Sequence, residues 1–231
     1  MTSVANGIRV AIDGPSGSGK SSVSKKVAAH LGIGYLDTGA MYRALTWYCL
    51  DRGIDLDDLG VVADAVTAMP LEMGTDPSAP SISMGGTRID ADIRTTRIAE
   101  VVSKVATNLQ VRPKLQQRQR ELMAQIAADQ GGVVAEGRDI TTVVAPDADV
   151  RILMVASEAA RLARRSKELH GGADDAAIAA TRTQIVDRDK ADSTVSSFMS
   201  AADGVVTLDT SDLTFQQSVE AVLTLVERAR G

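Results

Sequence analysis

Gly14-Pro15-Ser16-Gly17-Ser18-Gly19-Lys20-Ser21 has the spacing of a phosphate-binding loop: two glycines with four residues between them, then lysine and a hydroxyl. Its flanks agree. Arg9-Val10-Ala11-Ile12-Asp13 is a short apolar run suited to a buried strand. From Ser22 to Leu31, Val23, Val27 and Leu31 recur every fourth residue, a helical stripe. Strand, glycine-rich loop and helix is the context in which this motif works. Glycines let backbone N–H groups curl around an anion with no Cβ in the way. The helix N-terminus adds unpaired donors and its positive dipole end. A nucleoside triphosphate is therefore expected along Gly14 to Ser22, with Lys20 reaching the β- and γ-phosphates and Ser21 ligating Mg²⁺. The motif does not say what happens to the γ-phosphate.

Composition bounds the rest. A chain of 231 residues, 44% hydrophobic and 24% charged, is sized for one globular domain spanning 1–231. A net charge of −5 argues against a nucleic acid polymer as main partner. Cys49 is the sole cysteine, so no internal disulfide forms, and its place beside Tyr48 reads as core packing rather than a reactive thiol. His30 and His170 lie far apart, and no zinc site is expected. The chain shows no signal-peptide pattern and no membrane-length apolar run, which points to a cytoplasmic protein without a membrane partner.

Along the chain, Gly34-Tyr35-Leu36-Asp37 reads as a second strand and about 40–52 as a helix with Met41, Leu45 and Tyr48 inward. Arg43 faces the other way: either a solvated arginine, or a partner for Thr38 in holding an anion at the carboxyl edge of a parallel sheet. Residues 70–93 alternate and turn like a small antiparallel insertion. Ile98, Val101, Val102, Val105, Ala106 and Leu109 form one helical stripe, with Ser103 off it; Pro113 opens the next helix, with Leu115, Leu122 and Ile126 inward. Runs at 131–135, 150–155 and 204–208 complete five strands, and a last helix covers about 214–230. Strands alternating with helices imply an α/β fold: a five-stranded parallel sheet of P-loop kinase type with helices on both faces. Between the last two strands, helices near 158–169 and 174–189 carry Arg161, Arg164, Arg165 and Arg182. They read as a solvated, ion-paired helix pair or as a lid bringing arginine charge over the phosphates.

The chain lacks the Asn-Lys-x-Asp guanine-reading motif of a GTPase. A kinase of small molecules needs a second anion pocket, for which Thr38, Arg43, Arg112 and Arg138 are candidates. A phosphate-monoester acceptor is already ionised and requires no general base, whereas a hydroxyl acceptor does. Both acceptor classes remain open on these residues, as does a nucleotide-binding domain without turnover.

The run Ile12 to Ser22, then Tyr35-Leu36-Asp37-Thr38-Gly39-Ala40-Met41-Tyr42-Arg43, Val102-Ser103-Lys104-Val105-Ala106, and Glu136-Gly137-Arg138-Asp139-Ile140 with Pro146-Asp147-Ala148 resembles bacterial cytidylate kinase along nearly the whole chain. The resemblance implies a nucleoside monophosphate kinase fold, with a monophosphate-binding region over 38–112 and a lid over 157–192. It implies phosphoryl transfer from ATP, with Mg²⁺, to CMP or dCMP by a monomer. It also implies Thr38, Arg43 and Arg138 on the CMP phosphate, Ser103, Arg112 and Asp139 on the cytosine edge, and Arg188 and Asp192 on the ribose. Lys20, Arg43, Arg138 and one lid arginine, Arg165, would act in the transfer. Two departures stand out: Glu136 where many relatives have Asp, and Val195 where relatives often have Arg, so an arginine that would orient Asp192 is missing.

Overall fold

In the computed structural model, which describes residues 7–170, 182 and 189–231, the apolar run before the loop is strand β1 (Ile8–Asp13) and the helix after it is α1 (Lys20–Leu31). β2 (Gly34–Asp37) leads into α2 (Thr38–Asp51). The other core strands are β6 (Gly132–Gly137), β7 (Val150–Val155) and β8 (Val206–Asp209). The sheet order is β2-β6-β1-β7-β8, parallel at every pairing. The inner strands β6, β1 and β7 are short, rich in β-branched or small residues and largely buried, as a parallel sheet covered by helices requires, while β8 at the edge is mostly exposed.

Alternation along β1 divides the core. Val10 and Ile12 face α1 and α7 (Phe215–Arg230), packing with Val23, Val27, Val219, Val222 and Val226. Ala11 faces the other side, where Leu36, Val133 and Ala135 meet Met123, Ile126 and Ala127 of α5 (Val111–Gln130). A full burial of each such valine or isoleucine is worth about 1.5–3 kcal/mol, so these two layers hold the sheet rigid under the site.

The expected insertion is a separate three-stranded antiparallel sheet: β3 (Leu71–Met73), β4 (Ile82–Met84) and β5 (Thr87–Arg88). It shares a core with α2, α3 (Leu59–Ala68) and α4 (Thr96–Ala106), through Leu45, Cys49, Val62, Ile82, Ile98 and Val102 among others. Cys49 is fully buried, and burial pushes its thiol up to about 11, which bears out core packing.

Four boundaries differ from expectation. α2 begins at Thr38 because the Asp37 carboxylate accepts the Ala40 N–H at 2.9 Å, an N-cap. α4 ends at Ala106, so Leu109 leaves the stripe and is 71% exposed. α5 begins at Val111, with the Asn108 side chain accepting from Gln110 N at 2.9 Å and Val111 N at 3.4 Å. Pro113 thus sits inside the first turn, where a missing N–H still costs nothing. β8 starts at Val206, two residues later than read, after a left-handed turn at Gly204.

A wide π-type turn at Ile140–Val144 follows β6. Its first amides have no partner in their own turn. The buried Asp13 side chain supplies one, accepting Ile140 N at 3.0 Å, Thr141 N at 2.7 Å and Thr141 Oγ1 at 2.7 Å. After β7, α6 (Glu158–His170) matches the first helix expected there; the second, near 174–189, lies outside the described residues except for 182 and 189. Among the described residues no helix is long and apolar enough to cross a membrane.

Candidate active site

The carboxyl ends of β1, β2 and β6 lie in register, with Asp13 beside Gly137 and Asp37 beside Glu136. Above that edge opens a cleft of about 940 Å³. One end is the glycine-rich loop. Gly14 takes φ 157° with its α-carbon against the Met154 carbonyl, and Gly19 takes φ 91° as the N-cap of α1. Neither position accommodates a side chain without strain. Ser16 to Ser22 line the cleft, while Gly14 and Pro15 stand behind it; the Pro15 carbonyl accepts from Lys20 Nζ at 3.3 Å. α1 carries no acidic residue of its own in its first turn, so its N-terminal dipole favours an anion at the loop.

Beside the loop stand two carboxylates. Glu136 accepts from Ser21 Oγ at 2.6 Å and from the Tyr35 hydroxyl at 3.3 Å. Burial, then the neighbouring Asp37 charge, pushes its carboxyl up, while Lys20 and the two hydroxyls pull it down. Two hard-oxygen acids next to a loop hydroxyl make a donor set suited to Mg²⁺.

The same cleft gathers a cluster of arginines. Arg43, Arg94, Arg138 and Arg165 all line the cleft. Arg43 is lowered to about 10, first by burial and then by the charges of Arg165, Arg94 and Arg138 against the opposing help of Asp37. It stays charged at neutral pH. Like charges are gathered here at a cost, and an anion would relieve it. Arg43 is thus half-buried in the site rather than solvated. Thr38 is fixed by donating to the Glu136 carbonyl at 2.8 Å; a side chain at Gly137 would collide with its hydroxyl.

At the far end Arg112 Nη2 lies 2.6 Å from Asp139 Oδ2 and 2.8 Å from Ser196 Oγ, and Gln116 Nε2 donates to the same Asp139 oxygen at 2.7 Å. Ser103 lines this end too. Arg112 and Asp139 are both buried, so the pair is held in register by the low-dielectric surroundings. It presents a carboxylate and a guanidinium to whatever enters.

The model of the family described as cytidylate kinase matches residues 10–228. This chain belongs to that family. It is similar to the cytidylate kinase of Streptomyces avermitilis, 49% identical over 96% of this chain and 94% of that one. It is 47% identical to the cytidylate kinase of Streptomyces griseus, over 96% and 93% of the two chains, and 44% identical to that of Nocardia farcinica, over 94% and 92%.

Most of the positions expected from the sequence of this cytidylate kinase therefore meet in one cleft: Lys20, Ser21, Thr38, Arg43, Ser103, Arg112, Arg138, Asp139, Arg165 and Asp192 all border it. Arg188 lies outside the described residues. Of the four lid arginines, Arg164 and Arg165 line the cleft, and Arg164 also donates to the Thr210 carbonyl at 2.5 Å and the Ser18 carbonyl at 3.2 Å. Arg161 turns to the Ser16 carbonyl at 2.9 Å, and Arg182 pairs with the exposed Glu158 at 2.8 Å. Asp192 has its orienting arginine after all: Arg138 Nη1 lies 2.5 Å from its Oδ2. Arg138 also lies over the Phe198 ring at 4.7 Å.

Sequence reasoning left out Asp37, Arg94, Gln116, Asp189 and Ser196. Gln116 follows Arg112 by one helical turn, a spacing that puts both on one face and was legible. Asp37 ends a strand beside the loop, also a usable signal. Nothing local marks Asp189 or Ser196, whose partners lie 173 and 84 residues away.

Proposed function

We propose that this cytidylate kinase transfers the γ-phosphoryl group of ATP to CMP and dCMP, giving ADP with CDP or dCDP. The observation that carries the reading is the gathering, in one cleft, of the glycine-rich loop, a cluster of arginines and the buried Arg112–Asp139 pair. The loop amides and Lys20 hold the donor β- and γ-phosphates. Thr38, Arg43 and Arg138 hold the acceptor phosphate against the γ-phosphate, offsetting the repulsion between two anions. That phosphate is already a nucleophile at neutral pH, so the residues position and neutralise rather than abstract a proton. Arg165, one of two lid arginines on the cleft wall and the one not spent on the Thr210 and Ser18 carbonyls as Arg164 is, takes up charge as it moves.

Ser21 is the residue that would hold Mg²⁺, with Glu136 and Asp37 behind it; bound there, the ion neutralises phosphate charge. Cytosine fits the far end, where the Asp139 carboxylate accepts from the exocyclic amine and Ser103 and Arg112 donate to ring acceptors. Uracil reverses two of those groups and is penalised by a site built this way. Arg188 and Asp192 take the ribose hydroxyls.

In this reading residues 1–231 form a single kinase domain, 38–112 the monophosphate-binding region with its insertion at 70–93, and 157–192 the lid. All the assigned groups come from one chain, which fits a monomer. The lone buried cysteine fits a reducing cytoplasm.

The test is ADP formation from Mg·ATP with CMP, dCMP, UMP, AMP, GMP, dTMP or no acceptor, at matched concentrations. Strong turnover with CMP and dCMP, weak turnover with UMP and none otherwise is expected. Comparable rates across several bases, or turnover without acceptor, would require another acceptor.

A further inference from the structure

Asp189 touches neither of the proposed substrate positions directly, yet three parts of the site converge on its carboxylate. The Ser16 backbone N–H donates to Oδ1 at 3.1 Å. Arg138 Nη2 lies 3.0 Å from the same oxygen. Arg161 Nη1 pairs with Oδ2. Asp189 is buried, at 5% exposure, Arg161 is buried with it, and Arg138 is partly buried.

The same three partners bind one another. Arg161 Nη1 donates to the Ser16 carbonyl at 2.9 Å, and Arg138 Nη2 donates to Ser16 Oγ at 2.6 Å. Ser16 is thus held at its N–H, its carbonyl and its hydroxyl by one charged cluster. It is a residue of the donor loop. Arg138, at the end of β6, is the guanidinium assigned to the acceptor phosphate. The cluster is a direct hydrogen-bonded link between the two halves of the cleft.

A buried carboxylate is costly unless charged donors surround it, and removing one member of such a cluster leaves the others uncompensated. Its members therefore move together or not at all. Arg138 is further shared with Asp192, so its orientation is set by two carboxylates before any acceptor arrives.

We infer that Asp189 is a positioning residue that joins the donor and acceptor halves of the site. Ordering the loop around a triphosphate fixes Ser16, through it Asp189, and through that the guanidinium that receives the acceptor phosphate. The acceptor then meets an arginine whose ordering has already been done, so donor and acceptor bind with positive coupling, reciprocal by linkage. The inference rests on the CMP kinase reading of the cleft.

The test is calorimetric titration of CMP into the full chain, alone and with a saturating β,γ-imido analogue of Mg·ATP that cannot transfer. For the unmodified chain the CMP Kd is expected to fall by at least about 5-fold when the donor site is filled, the lower end of usual site–site coupling. For Asp189→Asn it is expected to fall by less than about 2-fold, while CMP binding to the empty protein changes far less than the ratio. Arg161→Gln removes a different arm and leaves Asp189 paired with Arg138 and Ser16; its ratio is expected to fall as well, and it decides the matter if Asp189→Asn does not fold.

Uniformly weaker CMP binding with the ratio intact marks a purely structural role and overturns the inference. CMP binding that is independent of the donor in the unmodified chain overturns the coupling alone. No CMP binding in either state overturns the functional reading and the coupling with it.

Discussion

Arg138 meets opposite demands. In the structure it is held by Asp189, Asp192, Ser16 and the face of Phe198, while the acceptor phosphate needs the same guanidinium. A bidentate fork can serve both only if its orientation is fixed beforehand, and that is what the two carboxylates provide. Methionine keeps an unbranched apolar stem, shorter than arginine's, and removes every charged arm together with the guanidinium stacked on Phe198. Arg138→Met is therefore expected to lower kcat/KM at least about 10²-fold, about 2.7 kcal/mol of transition-state binding, in steady-state assays. Near-unmodified kinetics would take Arg138 out of the site. Val195 tests the ribose side. It is half-buried and its N–H donates to the Asp192 carbonyl at 3.2 Å, but its side chain cannot reach a phosphate or orient a carboxylate by charge. Arg138 orients Asp192 in its place, so one guanidinium does two tasks. Val195→Arg is expected to lower the KM for CMP by a few-fold, about 1 kcal/mol, by freeing Arg138 for the phosphate. Unchanged KM for both CMP and dCMP would show that the second arginine is not needed here.

The turn at 140–144 shows how one buried acid builds an element. Asp13 ends β1, yet its carboxylate caps a turn after β6, and the residue just before that turn is Asp139 of the acceptor pocket. Burial, the largest influence, raises the Asp13 carboxyl from 3.8 to about 6, against the three hydrogen bonds that favour its charged form. The folded chain consequently holds this proton over a range in which the unfolded chain has lost it. Between pH 3.8 and about 6 the folded state binds more protons, so the stability contributed by this group falls as pH rises through that window. Asp13→Asn replaces one acceptor oxygen with an amine facing N–H donors. It is expected to destabilise the chain by about 1–3 kcal/mol at pH 4 and to flatten its stability between pH 4 and 6. Denaturant unfolding of both proteins across that range measures the slopes; equal slopes would remove Asp13 as their source. This turn was illegible in the sequence because its cause is a carboxylate 127 residues away. The strands were legible for the opposite reason: Val10 to Ile12 and Val133 to Ala135 carry their burial in their own composition. Helix starts failed where a side chain outside the helix did the capping, as Asn108 does for α5. Within the site, the loop residues Gly14 to Ser22 were legible from a local motif, whereas Asp189, whose signal is spatial, was not.

The molecule as a whole carries two cores that meet at the cleft. The parallel sheet with α1, α5 and α7 holds the donor loop and the ends of β1, β2 and β6. The α2, α3, α4 and insertion cluster backs Arg43 and Ser103. Ligands that touch both cores stabilise the assembly of the two, and a ligand that binds only the folded state raises stability by RT ln(1 + [L]/Kd). At a hundred times Kd that is about 2.7 kcal/mol for each substrate. For a chain of this size about 1 kcal/mol corresponds to roughly 2–4 °C in Tm, so either substrate alone is expected to raise Tm by roughly 5–11 °C. If the two halves respond independently, the increments add. If donor binding orders the acceptor side, the pair together raises Tm beyond the sum, because the second ligand binds more tightly than it does to the empty protein. Thermal unfolding with the β,γ-imido donor analogue, with CMP, and with both separates these cases without any turnover. Thiol labelling gives a second readout: Cys49 is fully buried with its thiol raised to about 11, so it reacts only when the helical core opens. Its protection is expected to follow the same order, least for the empty chain and most with both ligands bound. Additive increments by both probes would mean that each core binds its own ligand and that the cleft joins them in space alone.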